Sequence, residues 1–379
     1  MKHPLAELYD GHDEIQAEID RRFASQPAPD APGKPAADAP AGTVERHHPK
    51  RLRLVVGEIR AETADTRTYR LRREDGQPLP PFLAGQYVNV FTDGTSRPYA
   101  IASSPSWHVE YYELTVRRVP KGRISNLLID TLAVGDRLTT TGPMGTFHHN
   151  PLFHGDDLVF LAGGSGVAPA MSMLRAIAEQ GRDAACRIHL VYGSRHADDV
   201  IFRDELAAIA ATHPDRVRVD HVIGGLLTAE TINELTGPLR GRMVYICGPQ
   251  AMYPYALEQL TLLGHPRRRI RFEANGAPAR PEAQPHWPAG ADGAEQVTVT
   301  ACGTRFRTPR NRPLLDALED QGIRPEAACR SGECGMCVVR VVSGETHTAE
   351  EGRLRMADER FGYTHSCVAY PLTDVEIEV

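Results

Sequence analysis

CRSGECGMC, residues 329–337, is the stretch that decides what the C-terminal part of this chain folds around. Its cysteines, Cys329, Cys334 and Cys337, have the spacing C-x4-C-x2-C, and Cys367 follows after 29 intervening residues. Four cysteine thiolates at this spacing are the ligand set of a [2Fe-2S] cluster. The loop also contains two glycines, and a loop that wraps a cluster needs permissive backbone angles and close N–H groups. The stretch therefore predicts an iron-sulfur site.

A tetrahedral zinc site is the alternative use of the same four cysteines. Structural zinc sites more often combine two separated C-x2-C pairs, whereas here three ligands lie in one loop and the fourth is remote, so we favour iron-sulfur. The other three cysteines, Cys186, Cys247 and Cys302, fall at predicted strands, where each would ordinarily be a buried apolar side chain. An odd total of seven, with four in one pattern, fits a reducing compartment better than a disulfide framework.

The composition is that of a globular protein without a nucleic-acid or membrane partner. The 379 residues suffice for two or three domains, and the net charge of -6, without a long Lys/Arg tract, argues against binding to nucleic-acid phosphates. The N-terminus lacks the basic and then apolar layout of a signal peptide, and glycine and proline interrupt the longest uncharged run. We expect a soluble, cytoplasmic protein.

Three segments differ in hydrophobic pattern and predict three domains. Residues 49–150 contain short alternating segments separated by turn residues, which predicts an antiparallel β-barrel. Residues 151–273 alternate buried strands with helices, which predicts an α/β domain whose parallel sheet is covered on both faces. Residues 297–379 predict an α+β domain, a small sheet with one helix that Asn311 caps and Gly322 ends.

Two Pro- and Ala-rich segments lie outside these units. Residues 274–296 form a predicted linker that, as a flexible coil, would span roughly 25 Å, enough for the last domain to dock, part and dock elsewhere. Residues 1–48 are predicted to contain one short helix, either docked on the body or a partner-binding arm, and a disordered linker over residues 26–43. The helix prediction rests on residues spaced three and four apart: Leu5, Leu8, His12, Ile15, Ile19 and Phe23.

Five further motifs lie in the first two domains: RPYAIASS (97–104), KGRISNLL (121–128), GPMGTF (142–147), LAGGSGVAP (161–169) and ICGPQAM (246–252). On these motifs, residues 49–273 resemble the ferredoxin-NADP reductase superfamily. Residues 297–379 resemble plant-type ferredoxins, which have the β-grasp fold. Together they resemble single-chain reductases of the phthalate dioxygenase reductase type. The resemblance implies an FAD-binding barrel, an NAD(P)-binding α/β domain and a ferredoxin domain.

By this resemblance the barrel motifs bind the flavin. Arg97 would neutralise a flavin phosphate and Tyr99 would stack on the isoalloxazine. Ala100 replaces a usual hydroxyl residue, so only a backbone amide there could serve flavin N5. GPMGTF resembles a segment common in FAD-containing members, which favours FAD over FMN. A helix start would present backbone N–H groups to the pyrophosphate; its residues are Gly122, Arg123, Ile124 and Ser125.

The motifs of the α/β domain would bind the nicotinamide dinucleotide. The Cys-Gly-Pro turn would place Cys247 beside the position of hydride transfer, as a catalytic residue together with Tyr99. Arg195 could pair with a 2'-phosphate. Reductases of this layout more often use NADH, however, and NADH is our expectation over NADPH. The remaining residues implied in dinucleotide binding are Gly164, Ser165, Gly166, Ser194, Gly248 and Pro249.

The implied function is electron transfer from NAD(P)H through a flavin to a [2Fe-2S] cluster and on to a redox partner protein. A flavin can accept an electron pair and release it one electron at a time, which the cluster requires. The resemblance favours a terminal oxygenase, Rieske-type or cytochrome P450, as the partner. Two alternatives stay open: a reductase that activates a corrinoid-dependent enzyme such as a demethylase or dehalogenase, and a non-enzymatic four-cysteine metal-binding module.

Overall fold

The structure is a computed structural model, and it describes residues 17, 21, 48–92, 94–105, 109–120, 122–180, 186–273, 276–278, 280–284, 286–349, 352 and 354–379. The six residues that define the predicted N-terminal helix lie outside these ranges, and so does the predicted linker over residues 26–43. Neither prediction is tested by the described part of the chain.

The first domain is an antiparallel barrel of six strands: β1 Leu52–Thr63, β2 Thr66–Arg73, β3 Tyr87–Thr92, β4 Thr95–Ala100, β5 Tyr112–Arg117 and β6 Arg137–Thr140. Their spatial order is β4-β3-β6-β1-β2-β5, and a bridge between Ile101 and Leu114 joins the end of β4 to β5. The two outer strands therefore meet, which closes the sheet. The predicted antiparallel barrel is confirmed.

One helix, α1 Arg123–Thr131, covers the barrel. It begins after Gly122, as the sequence predicted, and its buried face carries Ile124, Leu128 and Ile129. These side chains belong to the same apolar core as the inward residues of the strands, and burying them holds the helix on the sheet. The first turn of α1 consequently lies at a fixed place on the barrel, beside strand β5.

The second domain has a five-stranded parallel sheet with helices on both faces. Its strands are β7 Asp157–Gly163, β8 Arg187–Ser194, β9 Val217–Ile223, β10 Met243–Cys247 and β11 Ile270–Phe272, in the order β11-β10-β7-β8-β9. The short helix α2 Pro151–His154 precedes them; the others are α3 Val167–Gln180, α4 Arg203–Thr212, α5 Ala229–Thr236 and α6 Met252–Leu262. Two separate apolar cores lie against the two faces. The predicted α/β domain is confirmed.

Buried polar contacts join the barrel to the α/β domain. Arg175 of α3 lies between Glu113 of β5, at 2.6 Å, and Glu205 of α4, at 2.6 Å, and it also donates to the Ala102 carbonyl oxygen at 2.8 Å. Although burial opposes the change, Arg175 and the neighbouring arginines lower the pKa of Glu113, so the carboxylate stays charged. These contacts fix the barrel motifs relative to the nucleotide motifs.

The third domain is a small mixed sheet packed on one helix. Its main strands are β12 Gln296–Ala301, β13 Thr304–Pro309, β14 Val338–Ser343, β16 Tyr363–His365 and β18 Val375–Glu378, in the order β13-β12-β18-β14-β16. β15 Thr346–Thr348 and β17 Ala369–Pro371 form a separate pair. Helix α7 Leu314–Asp320 buries its leucines against the sheet, and α8 Met356–Arg360 follows the cysteine loop. The predicted α+β arrangement is confirmed.

Two local predictions in this domain are wrong. The residue that caps α7 is Pro313, because its extended backbone leads directly into the first turn, and Asn311 donates its side-chain amide to Glu282 at 2.7 Å instead. Cys302 is exposed, because it lies in the hairpin turn between β12 and β13 with φ +48° rather than inside a strand. Gly322, with φ +77°, ends α7 as predicted.

The described residues of the predicted linker 274–296 contact both neighbouring domains. Trp287 packs edge-on against His347 at 5.2 Å and contacts Tyr370, whose hydroxyl donates to the Pro278 carbonyl oxygen at 3.1 Å. On the other side, the Gln250 amide donates to the Ala277 carbonyl oxygen at 2.5 Å. The described part of the segment is thus attached to both neighbouring domains, and Trp287 and Ala277 pack against an apolar cluster of the third domain.

Candidate functional site

One cavity of about 2140 Å³ lies where the three domains meet. It opens at the carboxyl ends of β7, β8 and β10, the edge at which parallel α/β sheets bind ligands. Cys367 of the third domain lines it as well. The lining contains every residue predicted for the flavin and nucleotide sites: Arg97, Tyr99, Ala100, Gly122, Arg123, Ile124, Ser125, Gly164, Ser165, Gly166, Ser194, Arg195, Cys247, Gly248 and Pro249.

Strand β4 contributes an aromatic ring and a guanidinium to the cavity. Burial raises the pKa of Tyr99, so its ring stays uncharged at neutral pH. Burial and the nearby Arg330 guanidinium both lower the pKa of Arg97. Since two cations approach each other at this end of the cavity, an anion bound beside them would relieve their repulsion. Arg97 is therefore well placed to hold a phosphate.

The first turn of α1 faces the same region. The Gly122 cap supplies no side-chain hydrogen bond to the N–H groups that begin the helix. A Cβ at Gly122 would lie 2.4 Å from the Ser125 hydroxyl, so the turn is as tight as a glycine permits. Backbone N–H groups together with the helix dipole favour an anion at this position.

The glycine-rich loop between β7 and α3 lies directly against the turn after β10. A Cβ at Gly166 would lie 2.1 Å from the Cys247 carbonyl oxygen and 2.6 Å from the Gly248 nitrogen, so only glycine fits. Gly164 has φ +53°, and Arg117 of the barrel lies beside it. Arg117 also pairs with Asp199 at 3.4 Å and so joins the barrel to the turn after β8.

Cys247 is buried at the end of β10, and a tyrosine organises the turn that follows it. The Gly248 N–H donates to the Tyr253 hydroxyl at 3.3 Å, and this hydroxyl donates to the Glu273 carbonyl oxygen. Burial raises the pKa of Tyr253 strongly, so the hydroxyl keeps its proton. The turn that carries Cys247 is consequently tied to the end of the domain.

The far end of the cavity lies beyond strand β8. Ser194 is buried there and Arg195 is exposed. The Gly224 N–H donates to the Ser194 carbonyl oxygen at 2.9 Å and so brings a second loop, residues 224–227, into the lining. The sequence offered a signal for this second loop, the pair GG at 224 and 225 after an alternating segment, but no motif marked it.

The cysteine loop directs backbone N–H groups at its own sulfurs. The Ser331 and Cys334 N–H groups donate to the Cys329 sulfur, both at 3.4 Å, and the Gly332 N–H donates to the Cys367 sulfur at 3.2 Å. Hydrogen bonds from the Cys334 and Cys367 thiols lower the pKa of Cys329, so these sulfurs lie within reach of one another. The structure therefore brings the sulfurs of Cys329, Cys334 and Cys367 together, and Cys337 is hydrogen-bonded to Cys367.

Three contacts attach this loop to the barrel. Ser96 of β4 donates to the Ala328 carbonyl oxygen at 2.6 Å. Glu333, inside the loop, accepts from the Thr146 N–H at 3.0 Å and from the Thr146 hydroxyl at 3.1 Å. The cysteine loop thus faces the barrel beside the strand that carries Arg97 and Tyr99.

Three family models match the chain, one for each domain. They are the oxidoreductase FAD-binding domain over residues 53–149, the oxidoreductase NAD-binding domain over residues 160–258 and the 2Fe-2S iron-sulfur cluster binding domain over residues 297–372. The chain is 32% identical to the ferredoxin reductase component of 3-ketosteroid-9-alpha-monooxygenase from Mycolicibacterium smegmatis, over 85% of this chain and 95% of that protein.

A solved structure has the same architecture from end to end. Phthalate dioxygenase reductase, described as a modular structure for electron transfer from pyridine nucleotides to [2Fe-2S], superposes with a TM-score of 0.61 at 27% identity, over 87% of this chain and 98% of that one. The chain belongs to the phthalate dioxygenase reductase-like family. A further relative of this reductase is the NADH oxidoreductase HCR of Escherichia coli, 32% identical over 85% of this chain and 96% of that protein.

The reductase is therefore an enzyme that uses FAD, NAD(P)H and a [2Fe-2S] cluster, and the alternatives of a zinc site and of a non-enzymatic metal module are wrong. The cysteine loop fits the cluster: a Cβ at Gly332, which has φ +78°, would lie 2.7 Å from Val368, so a side chain would push the loop off its ligand geometry. N–H groups directed at ligand sulfurs are the interactions that tune such clusters.

The reductase also uses residues whose contacts no motif predicted. Arg117 pairs with Asp199, Tyr253 binds the turn after Cys247, and Thr146 binds Glu333 of the cluster loop. Of these three residues, Thr146 lies inside a motif that the sequence singled out, GPMGTF. None of the helices in the described ranges has the length and hydropathy that crossing a bilayer requires.

Proposed function

We propose that this chain is the reductase component of a terminal oxygenase system, which takes electrons from NADH and delivers them to the oxygenase. The observation that carries the proposal is the shared cavity: Tyr99, Cys247 and Cys367, one residue from each predicted redox site, line the same space. The M. smegmatis relative is a component of a monooxygenase, and phthalate dioxygenase reductase is named for a dioxygenase, which supports an oxygenase as the acceptor.

FAD, when bound, supplies the change from two-electron to one-electron transfer. The residues of the chain bind and position the cofactors. Arg97 and the first turn of α1 neutralise the phosphates, and Tyr99 stacks on the flavin ring. Gly166 and Cys247 pack directly against each other at the wall of the cavity and so fix the surface on which the nicotinamide would lie. The N–H groups of the cysteine loop stabilise negative charge on the cluster sulfurs.

NADH is the proposed donor because reductases that resemble this chain in layout more often use it. The E. coli relative is named an NADH oxidoreductase, which agrees with this choice. A kcat/KM for NADPH equal to or above that for NADH would contradict it.

The test of the proposal has two steps. The purified reductase should contain FAD and iron, and NADH should bleach both the flavin and the cluster absorption without oxygen. The tagged reductase is then used to capture proteins from a native lysate, and the captured protein is mixed with reductase and NADH. Reduction of a Rieske-type or haem spectrum supports the oxygenase assignment. Reduction of a corrinoid spectrum instead would establish the alternative acceptor.

A further inference from the structure

Ser96 is a buried hydroxyl residue at the contact between the barrel and the cysteine loop. It lies in strand β4, and 1% of its surface is exposed. Its hydroxyl donates to the Ala328 carbonyl oxygen at 2.6 Å, a normal length for an O–H···O hydrogen bond, and Ala328 is also 1% exposed. The bond joins residues 232 positions apart in the chain. A polar side chain at this buried position is therefore explained by its partner in another domain.

The two ends of this hydrogen bond belong to the two predicted redox sites. On the barrel side, the Ser96 carbonyl oxygen accepts from the Arg97 guanidinium at 2.8 Å, and Tyr99 lies three residues further along the same strand. On the other side, Ala328 directly precedes Cys329, whose sulfur accepts two backbone N–H groups of the cysteine loop. A single hydrogen bond thus connects the strand of the flavin motif to the backbone of a cluster ligand.

The same end of strand β4 has a second contact with the third domain. Gly94 lies directly before the strand with φ +77°, and a Cβ there would lie 2.6 Å from the Arg324 guanidinium. The hydrogen bonds between Glu333 and Thr146, by contrast, are exposed. A buried hydrogen bond is stronger than an exposed one because water does not compete for it. Among these contacts, that of Ser96 is therefore best suited to fix the loop at one distance.

We propose that Ser96 is a positioning residue for electron transfer from the flavin to the cluster: its hydroxyl holds the backbone at Cys329 against the strand of the flavin motif. In this step one electron, supplied by NADH, leaves the reduced flavin and the oxidised cluster accepts it. Ser96 keeps its proton throughout, and no bond in the chain is made or broken. The proposal rests on the electron path proposed above and not on the identity of the acceptor protein.

The test compares Ser96→Ala with Ser172→Ala in the complete reductase loaded with FAD and cluster. Ser172 is the matched control, because it is fully buried and its hydroxyl donates to the Ser103 carbonyl oxygen at 2.8 Å, which is also a contact between two domains. This control bond joins helix α3 to the barrel and does not involve the cysteine loop. Stopped-flow absorbance, without an acceptor protein, follows flavin reduction by NADH and then reduction of the cluster.

We expect Ser96→Ala to slow the flavin-to-cluster step by about three- to tenfold and to leave flavin reduction unchanged. The Ala328 carbonyl oxygen loses this donor inside a buried contact, so the loop shifts to find another, and small misplacements of reacting groups lose rate steeply. Ser172→Ala should keep the wild-type rate of the flavin-to-cluster step. Ser96→Thr retains a hydroxyl and should restore the wild-type rate.

A second readout needs no turnover. Hydrogen exchange of the resting, oxidised protein, followed by mass spectrometry, should show the amides of residues 329–334 exchanging about two- to tenfold faster in Ser96→Ala, the effect of one net hydrogen bond. The same amides should exchange at the wild-type rate in Ser172→Ala.

Equal flavin-to-cluster rates in the wild type and Ser96→Ala overturn the proposal, and so does unchanged exchange of residues 329–334. A Ser96→Thr variant as slow as Ser96→Ala would assign the effect to packing and overturn it as well. A wild type whose flavin bleaches with NADH while its cluster stays oxidised would contradict the proposed electron path itself.

Discussion

Gly166 is the residue at which the nucleotide site leaves least room for change. Its missing side chain allows the glycine loop to approach the Cys247 carbonyl oxygen, which a Cβ would meet at 2.1 Å. We predict that Gly166→Ala displaces the glycine loop, because the new Cβ would collide with backbone atoms. The variant should reduce its flavin with NADH about 10²-fold more slowly, since misplaced reactants lose rate steeply. Stopped-flow flavin absorbance measures this rate.

The matched control is Gly57→Ala, also a loss of glycine but in strand β1. The nearest atom to a Cβ at Gly57 is the Arg70 carbonyl oxygen at 3.7 Å, an ordinary contact. The control should reduce its flavin at the wild-type rate, and both variants should retain FAD and iron. A wild-type rate in Gly166→Ala would mean that the close approach plays no part in nicotinamide placement.

His154 makes stability depend on pH. Burial, with Arg271, His149 and His148 nearby, lowers the pKa of His154 to about 4, and its Nδ1 lies 2.5 Å from the Tyr245 hydroxyl. The unfolded chain takes up the proton near pH 6.5, whereas the folded chain resists until about pH 4. We predict that the contribution of His154 to the free energy of unfolding is fully present above about pH 6.5. The free energy of unfolding should fall by up to about 3 kcal/mol as the pH drops to about 4.

The thermal midpoint of the wild type and of His154→Asn, followed from pH 7 to pH 4, measures this contribution. Asparagine offers an acceptor at the position of Nδ1 but takes up no proton, so the variant should lose stability less steeply than the wild type. His48→Asn, a change of an exposed histidine, is the control and should keep the wild-type slope. Parallel curves for wild type and His154→Asn would show that His154 contributes nothing.

At the scale of elements, the buried guanidinium of Arg175 on helix α3 joins two domains. Arg175→Met would leave Glu113 in the interface with only Arg70 and Arg60 as partners. We predict a loss of about 2 to 4 kcal/mol, because breaking one side of a buried ion network leaves a charge with too few partners. The free energy of unfolding of the barrel and α/β unit, from urea titration, measures the loss.

Arg218→Met is the control for this prediction. Arg218 pairs with Asp220 at 2.9 Å on the exposed side of strand β9 and touches no other domain. Exposed pairs contribute about 0 to 1 kcal/mol, so the control should unfold close to the wild type. If both arginine variants lost equally little, the Arg175 network would be irrelevant to how the two domains are held together.

At the scale of the whole molecule, Glu333 decides how firmly the cluster loop stays on the barrel. Its carboxylate accepts two hydrogen bonds from Thr146. We predict that Glu333→Ala slows electron transfer from flavin to cluster by about three- to tenfold, the value of the lost contacts, and leaves flavin reduction by NADH unchanged. Stopped-flow absorbance at flavin and cluster wavelengths separates the two steps.

Glu326→Ala is the control for the docking prediction. Glu326 lies 4.0 Å from Arg51, and both side chains are largely exposed, so this pair between the same two domains should contribute little. Wild-type transfer in both variants would contradict a docking role for Glu333. Slower flavin reduction in Glu333→Ala would place its effect at the nucleotide site instead.

Elements with a strong periodic pattern were predictable, and those at edges were not. The buried strands β7, β8 and β10 appear as continuous apolar runs because both faces of the sheet are covered. Strand β9 was not predicted, because it is an edge strand with Arg218, Asp220 and other half-exposed polar residues. Strand β4 was hidden by Pro98, a residue that argues against a strand in sequence.

The sequence by itself determined the three domains, the cluster ligands and the loops that meet in the cavity. These are local features: three of the four cysteines lie within nine residues, and each glycine loop is contiguous. Only the tertiary structure decided that Glu333 reaches Thr146 and that Trp287 packs on the third domain. Such contacts join residues far apart in the chain, and no periodicity or spacing records them, because they depend on how whole domains pack.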